Sequence, residues 1–293
     1  MSNASGPRVD ERTGTATTGH EWDGIAELNT PLPRWWLWTF YLTIVWSIAY
    51  WVVYPAWPGI SGYTTGIFGW HSRTMIVEDL QALKTMRAAG EAKLQAAKLD
   101  DIEKSPELLG IARAQGAAAF ANNCAPCHGA GAQGAVGYPN LNDDDWIWGG
   151  KLSDIQQTIE NGARWNANKD TRVGDMPAFG KDGMLKADEI KNVAQYVRTL
   201  SGLPVEGGAD VAKGKKIFAD NCAVCHGETG KGMPELGAPD LADKIWLYGQ
   251  STAAIEHRIV NGGGGVMPAW KDRLDPTTIK ALAVYVHSLG GGK

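Results

Sequence analysis

The longest uncharged apolar run lies between Trp35 and Trp57 and reads WWLWTFYLTIVWSIAYWVVYPAW. Its first 20 residues would span about 30 Å as a helix, the thickness of a bilayer core. Trp35, Trp36 and Trp38 crowd one end and Tyr54 and Trp57 the other, as interfacial aromatics do, and Pro55 and Pro58 stop the helix. The residues ahead of the run, and its lack of a small-x-small cleavage site, favour a retained single-pass anchor over a signal peptide. Thr39, Thr43 and Ser47 share one face of that helix; they either admit a neighbouring helix or bond back to their own backbone. Residues 1–20 are Ser, Thr, Gly and charge without an apolar period, which predicts a disordered tail. Residues 74–98 set Met75, Leu80, Leu83, Met86 and Leu94 among charged positions. That pattern predicts a partly amphipathic helix near the membrane surface or on a partner, followed by a linker over 100–106.

The remainder repeats itself. Gly116 and Phe120 stand eight and four residues before Cys124, as Gly214 and Phe218 do before Cys222. Pro139, Leu141, Trp146, Gly149, Ile155, Ile159, Asn161 and Gly162 recur at an offset of 100 as Pro239, Leu241, Trp246, Gly249, Ile255, Ile259, Asn261 and Gly262. Each copy closes on a helical pattern, one through Ile190, Tyr196, Val197 and Leu200, the other through Ile279, Tyr285, Val286 and Leu289. Asp275 followed by Pro276 predicts an N-cap and first helical residue. Two homologous helical domains are expected, 106–203 and 207–290.

Composition narrows this picture. A net charge of −4 over 293 residues argues against nucleic-acid binding and favours a basic soluble partner. The 37 glycines and 14 prolines imply loop-heavy domains whose small cores need another group to fill them.

All four cysteines fall in two Cys-x-x-Cys-His pentads, ending at His128 and His226. The spacing suits covalent haem: Cys124 and Cys127, or Cys222 and Cys225, form thioethers to one porphyrin, and the adjoining imidazole binds iron. Met176 and Met267 offer the second axial ligand, each in a Met-Pro-Ala-aromatic context, 48 and 41 residues after the histidine of its own repeat. Met184 lacks a counterpart, and Met233 is too near His226 to cross to the other haem face. His257 and His287 are expected at the surface. Arg164, Arg172, Arg258 and Arg273 are either partners for haem propionates or solvated; Tyr138, Trp146, Trp246 and Tyr248 line haem crevices or serve the core. Haem c is attached outside a bacterial plasma membrane, which orients the chain where Arg34 and Arg73 do not.

The run from Trp22 through Asn29-Thr-Pro-Leu-Pro-Arg34 into the anchor, and then Tyr54-Pro-Ala-Trp-Pro-Gly59, resembles the start of the dihaem subunit of cbb3-type cytochrome c oxidases, the CcoP or FixP family. The resemblance implies an all-α protein: a cytoplasmic tail (1–34), a transmembrane helix (35–57), a loop and juxtamembrane helix or linker (58–105), and two tandem cytochrome c-like domains in the periplasm. It implies two haem c groups, with Cys124, Cys127, Cys222 and Cys225 as thioether sites and His128, His226, Met176 and Met267 as axial ligands. It further implies a non-catalytic relay at the inner membrane. Electrons would pass from a soluble cytochrome c towards the monohaem subunit and the oxygen-reducing haem–copper subunit. The residues leave two alternatives open: a membrane-anchored dihaem carrier of another respiratory complex, and a dihaem peroxidase or sensor.

Overall fold

The computed structural model describes residues 6–290, and they are mostly helical. The chain divides into two compact units, residues 1–85 and 86–293.

In the first unit part of the tail expected to be disordered is ordered: residues 17–20 belong to a hairpin strand and Val9 bridges Ala16, while residues 1–5 lie outside the described residues. β1 (Thr17–Trp22) pairs antiparallel with β2 (Ile25–Leu28) across Asp23-Gly24, both at positive φ, 49° and 82°. That is the type I′ turn whose twist matches paired strands. Thr17 is buried, and Arg8 Nη2 donates to Glu21 Oε2 at 2.8 Å. α1 (Arg34–Val53) follows, apolar on every face, with none of its residues buried. Tyr54 leaves the helix in extended conformation ahead of Pro55, three residues before the end of the apolar run. The Thr39, Thr43 and Ser47 hydroxyls donate to the carbonyls of Trp35, Phe40 and Thr43, so all three serve their own helix. Beyond it β3 (Pro58–Gly59) and β4 (Gly62–Tyr63) form a minimal hairpin. The helix α2 (Ser72–Ala96) starts in this unit and ends in the second.

In the second unit the expected linker is a helix, α3 (Leu99–Lys104), because Ile102 has a place in a core with Leu94, Ala112, Leu152, Ala281 and Val284. The end of α2 therefore packs on its own chain rather than on lipid or a partner. Lys280 Nζ donates to the carbonyls of Leu94, Gln95 and Ala97, a cation at the open end of α2.

The two repeats run α4 (Pro106–Asn123), α5 (Ala125–His128), α6 (Leu152–Asn161) and α7 (Ala187–Leu200), then α8 (Val211–Asn221), α9 (Ala223–His226), α10 (Thr252–Asn261) and α11 (Pro276–His287). Side-chain oxygens of Ser105, Asp210, Ser251 and Asp275 cap α4, α8, α10 and α11, the last with Pro276 at its first position as expected.

The packing crosses the repeats. α7, which closes the first, lies on α8, which opens the second; α11 lies on α4. A Cβ on Gly214 would strike the Asn192 carbonyl, and one on Gly116 the Ala281 carbonyl, so glycine permits each crossing. Tyr196 meets Phe218 at 5.3 Å between ring centroids, and Tyr285 meets Phe120 at 5.5 Å. One core therefore joins Ile190, Val193 and Val197 to Phe218, Ile255 and Ile259; the other joins Phe120, Ile155 and Ile159 to Ile279, Leu282 and Val286. The cause is local. The connection over 201–210 brings α8 back across α7 at Gly214, as consecutive elements tend to pack, leaving α4 to α11. Arg198 holds that connection: its guanidinium, almost fully buried, donates to Pro204 O, Gln250 O and Glu206 Oε1.

Candidate haem sites

Each pentad is one helical turn following a longer helix. Cys127 N and His128 N both donate to Cys124 O, at 3.1 and 2.9 Å, and Cys222 O accepts in the same way from Cys225 N and His226 N. Residues at i, i+3 and i+4 share a helix face, so both sulfurs and the imidazole of a pentad point one way. All four cysteines are free of disulfides.

His128 Nδ1 lies 3.0 Å from Pro139 O, and His226 Nδ1 lies 3.0 Å from Pro239 O. A carbonyl only accepts, so Nδ1 carries the hydrogen and Nε2 keeps a lone pair. Burial lowers both imidazole pKa values, with the bond to Pro139 or Pro239 opposing it, so the neutral, ligating form is favoured. Burial, and secondarily the neighbouring Cys127 or Cys225, pushes the Cys124 and Cys222 thiols up to about 11.

The pentads, Met176 and Met267 all line one continuous cavity of about 710 Å³. Tyr138, Trp146, Trp246 and Tyr248 line it, Trp146 and Trp246 packing against the cores as well, and so do Arg164 and Arg258. Met184 and Met233 are absent from its lining, Met184 being 48 % exposed. The methionines are exchanged relative to the within-repeat pairing read from the sequence. Met176 packs into the core that holds Cys222; Met267 packs into the core that holds Cys124. The backbone fixes the exchange: Gly263 N donates to Met176 O at 2.7 Å, and Ala163 and Met267 exchange two bonds at 3.0 and 2.9 Å. Each methionine travels with the crossing helix that follows it. Thioether sulfur thus enters the site of the opposite repeat.

The arginines divide. Arg172 Nε donates to Thr158 Oγ1 and its Nη2 to Asp154 O; Arg164 Nε donates to Gly174 O and pairs with Asp175. Arg273 lies over Trp270. Of the remaining histidines, His257 is exposed, whereas His287 is more enclosed than expected and its Nδ1 meets Glu103 Oε1 at 2.5 Å. His71 Nδ1 pairs with the Tyr63 hydroxyl.

Two features were missed in the sequence. The Pro139 and Pro239 carbonyls orient the histidines, and the repeated proline 11 and 13 residues after each histidine was the available signal. Asp145 approaches Asp143, Asp240 and Asp243 from the two repeats; burial first, then those charges, raise its pKa to about 7. No sequence signal marked that convergence.

The donor set fits a flat apolar prosthetic group. It combines two free thiols, a neutral imidazole and a soft thioether around an apolar cavity, where two buried donors, Trp246 Nε1 and Arg258 Nε, lack an acceptor. An unpaired buried donor costs about 1–3 kcal/mol unless a bound group supplies the acceptor.

Residues 14–61 match the family model described as the N-terminal domain of cytochrome oxidase-cbb3, FixP. Residues 112–197 and 209–286 each match the model described as cytochrome c oxidase, cbb3-type, subunit III. A Bradyrhizobium diazoefficiens protein named cbb3-type cytochrome c oxidase subunit FixP is 62 % identical, over 97 % of this chain and 98 % of its own. One of the same name from Azorhizobium caulinodans is 60 % identical, over 97 % and 96 %. A Cereibacter sphaeroides protein named subunit CcoP is 48 % identical, over 94 % and 95 %.

Proposed function

The chain belongs to the subunit III family of cbb3-type cytochrome c oxidases, and from that premise we propose that it is the complex's electron relay. Its two cytochrome c domains imply two haem c groups. When bound, haem c supplies a one-electron iron couple. In this reading Cys124, Cys127, His128 and Met267 would hold the first haem, and Cys222, Cys225, His226 and Met176 the second. With an imidazole and a thioether both supplied to it, each iron would have no position left for oxygen or peroxide, so the chain would move electrons and leave oxygen reduction to another subunit.

The observation that carries the proposal is the sharing of one largely apolar cavity by both donor sets, so that two groups held there would lie close to each other. In this reading the chain comprises a tail (1–34), a membrane span (35–57), a connecting segment (58–105) and two repeats (106–203 and 207–290). α1 anchors the chain in the bacterial inner membrane, with the tail cytoplasmic and both repeats periplasmic, where haem c is attached. There the chain takes an electron from a soluble cytochrome c and passes it towards the monohaem subunit and the oxygen-reducing haem–copper subunit.

Carbon monoxide difference spectra of the reduced, haem-loaded full chain test the ligation. No spectral shift is expected; a shift equal to a full haem would identify an open iron and remove the relay. Met176→Leu should open only the haem attached through Cys222 and Cys225, and Met267→Leu only the other.

A further inference from the structure

Arg164 follows Ala163, whose backbone exchanges two hydrogen bonds with Met267, and its φ of 56° is a left-handed value uncommon outside glycine. Its side chain, 13 % exposed, reaches both methionine loops. Nε donates to Gly174 O at 2.7 Å, and Nη1 donates to Gly265 O at 3.2 Å. Those carbonyls stand two residues before Met176 and two before Met267. The guanidinium also lies over the Trp148 ring, its carbon 5.1 Å from the ring centroid, and Asp175 pairs with Nε at 3.1 Å. A planar fork held on one face reaches two acceptors with little further loss of freedom.

The second repeat has no such group. Gly264 takes the equivalent place at the offset of 100, and it lies against Arg164 itself: a Cβ there would strike the guanidinium. The two equivalent positions therefore meet between the methionine loops, and glycine at one leaves room for arginine at the other. A left-handed backbone in a residue other than glycine persists only where its surroundings over-determine it, and such strain collects at functional sites.

We propose that Arg164 is a positioning residue common to both haem sites: one guanidinium ties the loops ahead of Met176 and Met267, so that both thioethers are presented to iron, or released from it, together. The inference rests on the dihaem reading above. The backbone bonds made by Met176 and Met267 decide which site each enters; Arg164 fixes the residues that lead up to each sulfur. Groups that orient a metal ligand without touching the metal tune how firmly that ligand binds.

The test follows the Met–iron absorption of each haem, and carbon monoxide binding to the reduced protein, in the full, haem-loaded chain with covalent haem counted by intact mass. Arg164→Gln should lower both Met–iron bands and raise the fraction of each haem open to carbon monoxide about tenfold, the scale expected when a ligand-orienting partner is lost. Arg164→Lys keeps the charge but presents one nitrogen in place of the fork, so it should act in the same way. Gly264→Ala, which keeps Arg164 but displaces its guanidinium, should also open both haems. Met176→Leu and Met267→Leu, each removing one ligand, identify the bands. Arg198→Met, which loosens the same unit away from the methionine loops, should leave both bands in place; their loss there would mean that they report packing, and would overturn the assignment. If both haems are attached and the Arg164 and Gly264 variants keep wild-type bands, or lose only one, the shared latch is refuted while the relay stands. Full recovery by lysine would assign the effect to charge and refute the fork. A wild-type chain that carries no covalent haem, or that binds carbon monoxide at a full haem, removes the relay and the latch with it.

Discussion

Asp145 shows what convergence of the repeats does to a single group. It sits with Asp143, Asp240 and Asp243; Lys231 stands 3.2 Å from Asp240 and also acts on Asp243. Burial is the larger cause of its raised pKa, about 7 against an ordinary 3.8; the three carboxylates add to it. The folded protein thus holds this proton more tightly than the unfolded chain does. Its contribution to stability is complete below pH 3.8 and is lost as the pH rises through about 7. A shift of that size corresponds to about 4 kcal/mol, which partial exposure of the carboxyl reduces to about 2. Asp145→Asn should therefore stabilise the haem-loaded chain by about 2 kcal/mol at pH 8 and by nothing at pH 4; chaotrope unfolding at the two pH values decides it. Equal gains at both would mean that packing, not charge, is responsible. Arg198 makes the opposite case, a buried cation whose bonds are all made. Arg198→Met should cost about 3 kcal/mol, because Glu206 and the carbonyls of Pro204 and Gln250 lose their donor. A thermal shift near zero would contradict that. Neither role was legible beforehand: Asp145 is the last of three consecutive aspartates and Arg198 the one charge in the second half of α7, and what surrounds each comes from residues distant in sequence.

Helices were legible where period and caps agree. The anchor, the start of α11 at Asp275-Pro276, and α7 and α11 themselves follow from apolar spacing alone. Two elements hid behind composition. The tail hairpin depends on one dipeptide, Asp23-Gly24, in a segment otherwise poor in strand formers. α3 depends on Ile102, whose burial is supplied by residues as distant as Ala281 and Val284. Gly116 and Gly214 were visible as a repeat, but their purpose emerges only from the helix that crosses each of them. Gly214→Ala would put a methyl into the Asn192 carbonyl and 3.0 Å from Tyr196 Cβ. α7 must then retreat from α8, at a cost of about 2–3 kcal/mol. Because Met176 lies ahead of α7, the same substitution should weaken the Met–iron absorption of the second haem and spare the first. Gly116→Ala should reverse that assignment through α11 and Met267. Loss of both bands in either variant would show that the crossings do not act on separate sites.

For the molecule as a whole, the repeat leads to two equivalent candidate sites, whereas in the structure each methionine packs in the core that holds the other repeat's pentad. Periodicity places Met176 and Met267 on equivalent loops, and nothing in a repeat says which copy a loop will enter. That choice falls to the connection over 201–210, which Arg198 and Gln195 hold against α7, and to two glycines that accept whichever closing helix arrives. The resulting interlock has a mechanical consequence. Each core contains a helix and a methionine from the other repeat, so the halves are joined by packing as well as by the chain. Gly207 and Gly208 lie in the connection at φ of 71° and 66°, and a Cβ at either would meet nothing within 4 Å. A protease site inserted between them should leave Arg198 and its partners in place and be cleaved without unfolding. After cleavage the two haem-bearing halves should still migrate as one species in detergent gel filtration, keep both Met–iron bands, and separate only in denaturant. Independent beads on a string would separate at once, each retaining its own methionine. Cleavage that releases a six-coordinate C-terminal half would therefore refute the crossed architecture, because that half contains Met267 but, in the crossed arrangement, has lost the Met176 that faces His226.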